Sequence, residues 1–347
     1  MRIMVTSWVV PPLLMLAACG AASAQTITWG SPVPSNTDWA TPKMAGDGVW
    51  DLLAVGQDGP LQYETNSGAN EIQNYATGSA PSVAMTLVGL EYLDYGNGIA
   101  VEVHQSQKHD DPFLCSEVAH YASPISPTLS WLTSFCYDHG YYPSVAMEPF
   151  VNSSPITVVE VHQASAGVSK LWYHVGSYNG GSSVDWGPSY AFDNGKLPSV
   201  SVCQGTAIEV HQGDHGTLWY SMGVVSGNTI KWTVSQQYDK GYSPSITMCG
   251  YGNTTGPYVV EVHQAENPGT GGTTPLYYHL GLYNSSGVVW YPSAYEYAVG
   301  CSPTVAPDSY YSNFLYGETI PYQVYSDYSV ACGNAEQFSV LGTPNIP

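Results

Sequence analysis

Four times this chain places a glutamate and a histidine two residues apart in the tetrapeptide Glu-Val-His-Gln: Glu102 with His104, Glu160 with His162, Glu209 with His211, and Glu261 with His263. A carboxylate beside an imidazole can hold the hydroxyl groups of a ligand, move a proton, or offer two ligands to a divalent cation. Successive glutamates stand 58, 49 and 52 residues apart, so the pair returns at one position of a long repeat. In an extended strand, residues two apart share a face. Each glutamate therefore points the same way as its histidine, while the valine and glutamine point the other way.

Two roles fit a pair repeated in this manner. A buried carboxylate needs a partner, and a fully satisfied Glu-His network can pin one repeat to the next. Alternatively, each pair opens onto a groove between repeats. There Glu and His would exchange hydrogen bonds with sugar hydroxyls, and an indole would stack on the sugar face; the candidate indoles are Trp172, Trp186, Trp219 and Trp232. No metal is expected at the pairs, because each offers only two ligands and the four do not converge on one ion. The acidic loop His109-Asp110-Asp111 is a candidate for calcium, and no other cofactor is expected.

The elements that must position these pairs are short and β-type. Upstream comes a proline-led run, Pro143-Ser144-Val145, Pro198-Ser199-Val200 or Pro244-Ser245-Ile246. Downstream come an aromatic run such as Leu171-Trp172-Tyr173-His174 and a tryptophan-centred run such as Val184-Asp185-Trp186. Four short β-type runs in a repeat of about 50 residues are the pattern of propeller blades. The expected architecture is all-β: a six-bladed β-propeller of four-stranded blades forming one domain over residues 25–347. Its blades begin near Pro42, Pro81, Pro143, Pro198, Pro244 and Pro303. In the first repeat Val49-Trp50-Asp51-Leu52-Leu53 is expected to replace the motif, and in the last Asn313-Phe314-Leu315-Tyr316. Thr26-Ile27-Thr28-Trp29 matches the outer strand and is expected to close the ring, which would remove an exposed sheet edge. Gln337-Phe338-Ser339-Val340 competes for that place. The recurring Tyr137-Asp138-His139-Gly140, Phe192-Asp193-Asn194-Gly195 and Tyr238-Asp239-Lys240-Gly241 read as turns.

Residues 1–24 have the pattern of a secretory signal ending in Ala22-Ser23-Ala24, and Leu16-Ala17-Ala18-Cys19 resembles a lipobox. The expected location is extracytoplasmic, either secreted or lipid-anchored at a bacterial envelope, with no transmembrane segment. Six cysteines remain beyond Cys19, an even number suited to disulfides in an oxidising compartment. Cys115 and Cys136 fall on neighbouring strands of one blade; Cys203 with Cys249 and Cys301 with Cys332 are the remaining candidates. The only arginine is Arg2, and seven basic residues face 27 acidic ones. Nucleic acids, anionic lipids and acidic sugars, which call for arginine forks or basic stripes, are poor partners. Neutral glycans, cations and protein surfaces remain, and oligomeric state is open.

Six blades with an acidic residue and aromatics repeated in each resemble the propeller lectins, fucose-binding lectins of fungi and bacteria among them. The resemblance is one of architecture over the whole mature chain. It implies sugar sites between blades, with Glu102, Glu160, Glu209 and Glu261 at the acidic position and the four indoles named above as stacking residues. Those lectins also use an arginine in each site, which the mature chain lacks, so fucose specificity is not implied. Sialidases share the six-bladed architecture but grip a carboxylate with three arginines and repeat a Ser-x-Asp-x-Gly-x-x-Trp box; Ser183-Val184-Asp185-Trp186-Gly187 is a single partial match. Among the proline-led inner runs only Glu148 brings a carboxylate, short of the pair a glycosidase uses. The expected function is carbohydrate binding without catalysis, toward a neutral glycan or cell-surface glycoconjugate. A non-catalytic protein-interaction scaffold is the alternative, and a glycoside hydrolase comes third.

Overall fold

The computed structural model describes residues 26–31, 33–34, 39, 43–46, 51–57, 59–66, 72–88, 97–107, 112–122, 125, 128–148, 150–151, 155–248, 258–309, 323–329 and 337–344. The signal segment, the His109-Asp110-Asp111 loop, Asn313–Tyr316, Cys249 and Cys332 lie outside them. Apart from a 3-10 turn at Asp214–Gly216, the regular elements of the described residues are strands, as the composition predicts. None is a helix long and apolar enough to cross a membrane.

Among the described residues the strands fall into antiparallel groups, numbered 1 to 6 in chain order. In group 3, Tyr141–Met147 pairs with Ile156–Gln163, which pairs with Ser169–Tyr178; beyond it lie Asp185–Trp186 and the start of Tyr190–Cys203. Group 1 starts at Lys43–Gly46, group 2 at Ser79–Val88 and group 5 at Tyr242–Met248. Groups 4 and 6 start within the long strands Tyr190–Cys203 and Tyr295–Ser309. The first halves of these strands end one group and the second halves open the next. In group 6 the second and third strands are Gln323–Ser329 and Gln337–Pro344, and Ile27–Trp29 pairs with the latter, Thr28 opposite Thr343. Both terminal segments thus join group 6, the C-terminal one as third strand and the N-terminal one outside it.

Groups 2 to 6 each begin at a corner built from a residue and the proline after it. Ala80, Tyr142, Leu197, Ser243 and Ser302 all take φ between 48° and 51°, a left-handed conformation that is strained for a residue with a Cβ. The glutamine of the preceding motif holds this corner. Gln105 Oε1 accepts the Tyr142 N–H at 2.8 Å, Gln264 Oε1 accepts that of Ser302 at 2.8 Å, and Gln163 and Gln212 hold Leu197 and Ser243 alike. The motif's fourth residue therefore ties groups 2, 3, 4 and 5 each to its successor.

The core lies between successive groups. The motif valine faces forward: Val161 packs with Val200, Val202 and Ala207 of group 4, and Val103 with Val145 and Val158 of group 3. All six first strands line one narrow channel of about 60 Å³ with apolar side chains such as Met85, Val145, Val202 and Met248.

Register corrects two expected slots. Val145 pairs with Glu160, and its equivalents Met44 and Val305 pair with Ala54 and Ser326. The degenerate motifs are therefore Ala54-Val55-Gly56-Gln57 and Ser326-Asp327-Tyr328-Ser329. Proline-led spacing could not locate them, because the turns between first and second strands differ in length. At Gly56, where groups 2 to 5 carry histidine, the buried Trp39 fills the space a side chain would take.

The Asp-x-Gly segments also have a reason beyond turn geometry. Gly140 and Gly241 have no positive φ; instead, a Cβ on either would lie 2.5 Å from Cδ2 of His162 or His263. Gly140→Ala is accordingly expected to lower stability by about 1–3 kcal/mol through overpacking. Gly181→Ala, with nothing within 4 Å of its Cβ, should change stability by less than about 0.5 kcal/mol. Equal urea midpoints for the two variants would refute this account.

Candidate functional site

The four glutamates are 0% exposed and the four motif histidines no more than 3%. Sequence periodicity put each pair on one face, and the structure puts that face against the preceding group. Each histidine donates its Nδ1–H to its glutamate, at 2.9 Å for Glu102, 3.1 Å for Glu160 and 3.0 Å for Glu261. No motif carboxylate opens onto a groove.

The preceding group supplies the remaining neighbours from its last strand. The hydroxyls of Tyr75, Tyr137 and Tyr238, and the outer oxygens of Glu102, Glu160 and Glu261, are buried with no hydrogen-bond partner among the described residues, each phenol facing the field of its neighbouring carboxylate. Burial, then the adjoining carboxylate, pushes these phenols well above their usual range. Between groups 3 and 4 the tyrosine is replaced by Phe192. Glu209 there turns both oxygens to His211, at 3.0 and 3.2 Å. Burial raises the Glu209 carboxyl, and His211 is raised because that carboxylate outweighs its own burial. Between groups 5 and 6, Tyr297 instead meets the Ser326 hydroxyl at 2.8 Å.

A further residue on the third strand stands opposite each glutamate: Glu117, His174, Ser221 and His279. His174 Nε2 lies 2.8 Å from Asp138 Oδ2, His279 Nε2 lies 2.6 Å from Asp239 Oδ2, and the Ser221 hydroxyl donates to Asp193 at 3.1 Å. Burial alone would raise Asp138 and Asp239, but contact with His174 and His279 holds both below the usual carboxylate range. These aspartates, read above as turn residues, are inter-group ligands of histidine. The signal that could have found them was the aromatic residue preceding each one.

The indoles serve the same junctions. Trp29, Trp131, Trp186, Trp232 and Trp290 each stack on an aromatic of the preceding group's last strand, with centroids 4.6–4.9 Å apart. Trp172 and Trp219 are half-buried on third strands, and Trp219 Nε1 donates to Thr217 Oγ1 at 3.1 Å. Tyr63, Tyr173, Tyr220 and Tyr278 accept backbone N–H groups of the next group's outer strand. At the junction of groups 2 and 3, Ser116 takes that tyrosine's place and accepts the Trp186 indole N–H at 3.2 Å.

Cys115 and Cys136 form a disulfide across paired strands, as expected. Cys203 and Cys301 are also disulfide-bonded.

A ligand-sized opening lies between groups 3 and 4. This groove of about 520 Å³ is lined by Glu148, Thr157, Ser177, Asp185, Trp186 and Asn228, with glycines 176, 187, 205 and 227 exposing backbone and no basic side chain. Glu148 is held by the Gly205 N–H, 2.6 Å from its Oε1. Of the indoles expected to stack, Trp186 alone lines the groove. Asp185 and Asn228 are exposed; Asp185 lies on a short outer strand within the tryptophan-centred run, but its counterparts there are Lys231 and Val289, so the repeat did not single it out. A second cavity, of about 630 Å³, sits on the axis, walled by the proline corners and with Lys43 as its single charged side chain. Its lining lacks the carboxylate and indole that the groove combines.

No protein-family model and no curated protein matches the chain. Solved structures do. A fungal lectin from Aleuria aurantia, described as a six-bladed β-propeller with a novel fucose recognition mode, is 12% identical over 87% of this chain and 93% of its own, with a TM-score of 0.56. A single-site mutant of the same organism's lectin, solved with Fucalpha1-6GlcNAc, is 14% identical over the same shares, with a TM-score of 0.54. The Fusarium graminearum GH93 α-L-arabinofuranosidase is 10% identical over 90% of this chain and 98% of its own, with a TM-score of 0.47. The likeness to the lectins is one of fold, and it sets this all-β chain beside the β-propellers.

At the junction of groups 1 and 2, burial, then the neighbouring Glu102, raises Glu117 from 4.5 to about 7, while His104 and Ser134 partly oppose the shift. A carboxyl raised on folding leaves stability intact below pH 4.5 and lowers it as pH rises through about 7. The difference is on the order of 3 kcal/mol. Glu117→Gln should therefore match the parent in chemical denaturation near pH 4.5 and exceed it by roughly 2–3 kcal/mol at pH 8. An effect independent of pH would show that Glu117 is ionised at no cost.

Proposed function

We propose that the protein is a six-bladed β-propeller, closed by its N-terminal strand, that binds neutral carbohydrate in the groove between groups 3 and 4. The six-part architecture is supported by the channel that all six first strands line and by the pairing of Ile27–Trp29 with Gln337–Pro344. The observation that carries the binding reading is the groove itself. It offers an indole, two carboxylates, hydroxyls and an amide, with no cation to attract an acidic ligand. Carboxylate and amide oxygens accept from sugar hydroxyls, and an indole covers the apolar face of a pyranose. The fungal lectins of similar fold bind fucosides. Because this chain's groove has no arginine, its sugar is read as neutral and not specifically fucose.

In this reading the repeated Glu-His pairs are framework that positions the groove, and Trp186 is the one expected indole that serves a ligand. Binding without catalysis is favoured because Glu148 is engaged by the Gly205 N–H and the channel lining is apolar. The paired strands joined by Cys115 and Cys136 suit an oxidising, extracytoplasmic setting, whether the protein is released or held through lipid on Cys19.

The test is a neutral-glycan array followed by calorimetry on the strongest glycan found. Asp185→Ala and Asn228→Ala change exposed rim residues, and each should weaken binding by about tenfold or more, about 1.4 kcal/mol. An array blank for neutral glycans, or affinity unchanged in both variants, would overturn the proposal.

A further inference from the structure

We propose that two of the inter-group junctions are zinc-type metal sites, one formed by Asp239, His263 and His279 and the other by Asp138, His162 and His174. At the first, the ligand atoms of the three residues lie within 4.8 Å of one another. Asp239 Oδ2 is 2.6 Å from His279 Nε2 and 3.9 Å from His263 Nε2. The second repeats this arrangement, with Asp138 Oδ2 2.8 Å from His174 Nε2 and 3.9 Å from His162 Nε2.

Hydrogen-bond accounting at the Asp138 site shows why a cation belongs there. His162 gives its Nδ1–H to Glu160 and His263 gives its own to Glu261. His174 Nδ1 lies 2.8 Å from the Gly187 carbonyl, which can only accept, so that nitrogen carries the proton. In the neutral tautomers so defined, the Nε2 atoms of His162 and His174 present lone pairs to an aspartate oxygen that also only accepts. At Asp138 three acceptors then converge with no donor among them; at Asp239 the cluster geometry alone carries the assignment, since His279 Nδ1 is buried with no hydrogen-bond partner among the described residues. One proton on His174 would satisfy a single contact; a divalent ion satisfies all three. Imidazoles whose Nδ1–H is fixed by a carboxylate or carbonyl are the usual outer support of zinc ligands. Two histidines and one carboxylate suit zinc, leaving a fourth position for water. The aspartate side chains are 29% and 33% exposed, which leaves a route from solvent to the buried imidazoles.

The junction of groups 3 and 4 is an internal control. It keeps Asp193 and His211 but carries Ser221 in place of the second histidine, and the serine hydroxyl donates to Asp193 at 3.1 Å. That junction supplies its own proton and is left with two ligands. The Asp239 cluster and its repeat at Asp138, where Glu160 also brings a ligand atom within 4.8 Å of those of His162 and His174, predict two zinc equivalents per chain.

The experiment titrates zinc into chelator-stripped, full-length protein against a chromophoric chelator, with elemental analysis after dialysis. The parent should retain two equivalents, His174→Ser or His279→Ser one, and the double variant none. Serine already occupies the equivalent position in group 4, so the variants should fold. Should they not, Asp138→Asn and Asp239→Asn give the same stoichiometric readout. Zinc should also raise the melting temperature of the parent and not that of the double variant. No retained zinc in the parent, a site occupied by a proton only, or retention unchanged by the substitutions would each refute the proposal.

Discussion

The structure depends on a carboxylate that is fully withdrawn from water between neighbouring strand groups. Burying an ionised glutamate costs several kcal/mol unless its charge is paired and its oxygens are satisfied. Each motif glutamate meets part of that demand with a histidine of its own strand, and beside Glu160 and Glu261 the group before sends Asp138 and Asp239 to His174 and His279. Because one partner comes from the preceding group, two groups can be joined only in one register. The apolar packing around the motif valines stabilises the junctions without choosing among registers; the polar cluster does the choosing.

The other features of the repeat work on the same interface. The motif glutamine holds the strained corner of the following group, and a stacked indole closes the outer rim of five junctions. Those five junctions thus have a polar centre, an apolar middle and an aromatic edge. The variation among junctions is compensated locally: Phe192 comes with a doubled Glu209–His211 contact, and Ser116 comes with an indole N–H that needs an acceptor. The groove lined by Trp186 lies next to that altered junction. Its walls are therefore set by rigid strands on either side, the arrangement a binding site requires.

The motif repeat made the all-β architecture and the position of each Glu-His pair legible, because strand periodicity is local and four copies of one tetrapeptide share a register. The spacing of Cys115 and Cys136 was readable for the same reason, since neighbouring strands of one unit bring them together. Less legible were the degenerate repeats, where Ala54 and Ser326 keep the position and lose the chemistry. Asp138 and Asp239 were visible as a recurrent pair with Gly140 and Gly241, but their partners come from another repeat. A turn reading could not anticipate a histidine ring lying against the glycine.

Local pattern and hydrophobic alternation, both written along the chain, determined that this protein would be built of repeated strands with a glutamate and a histidine on one face. Which way that face turned was decided only by the packing of one group on the next. Burial depends on contacts between residues distant in sequence, and here it enclosed all four carboxylates. The groove, with Trp186, Asp185 and Asn228 at its edge, exists only once two groups are docked, because a cavity is a property of the space between elements and no single element encodes it.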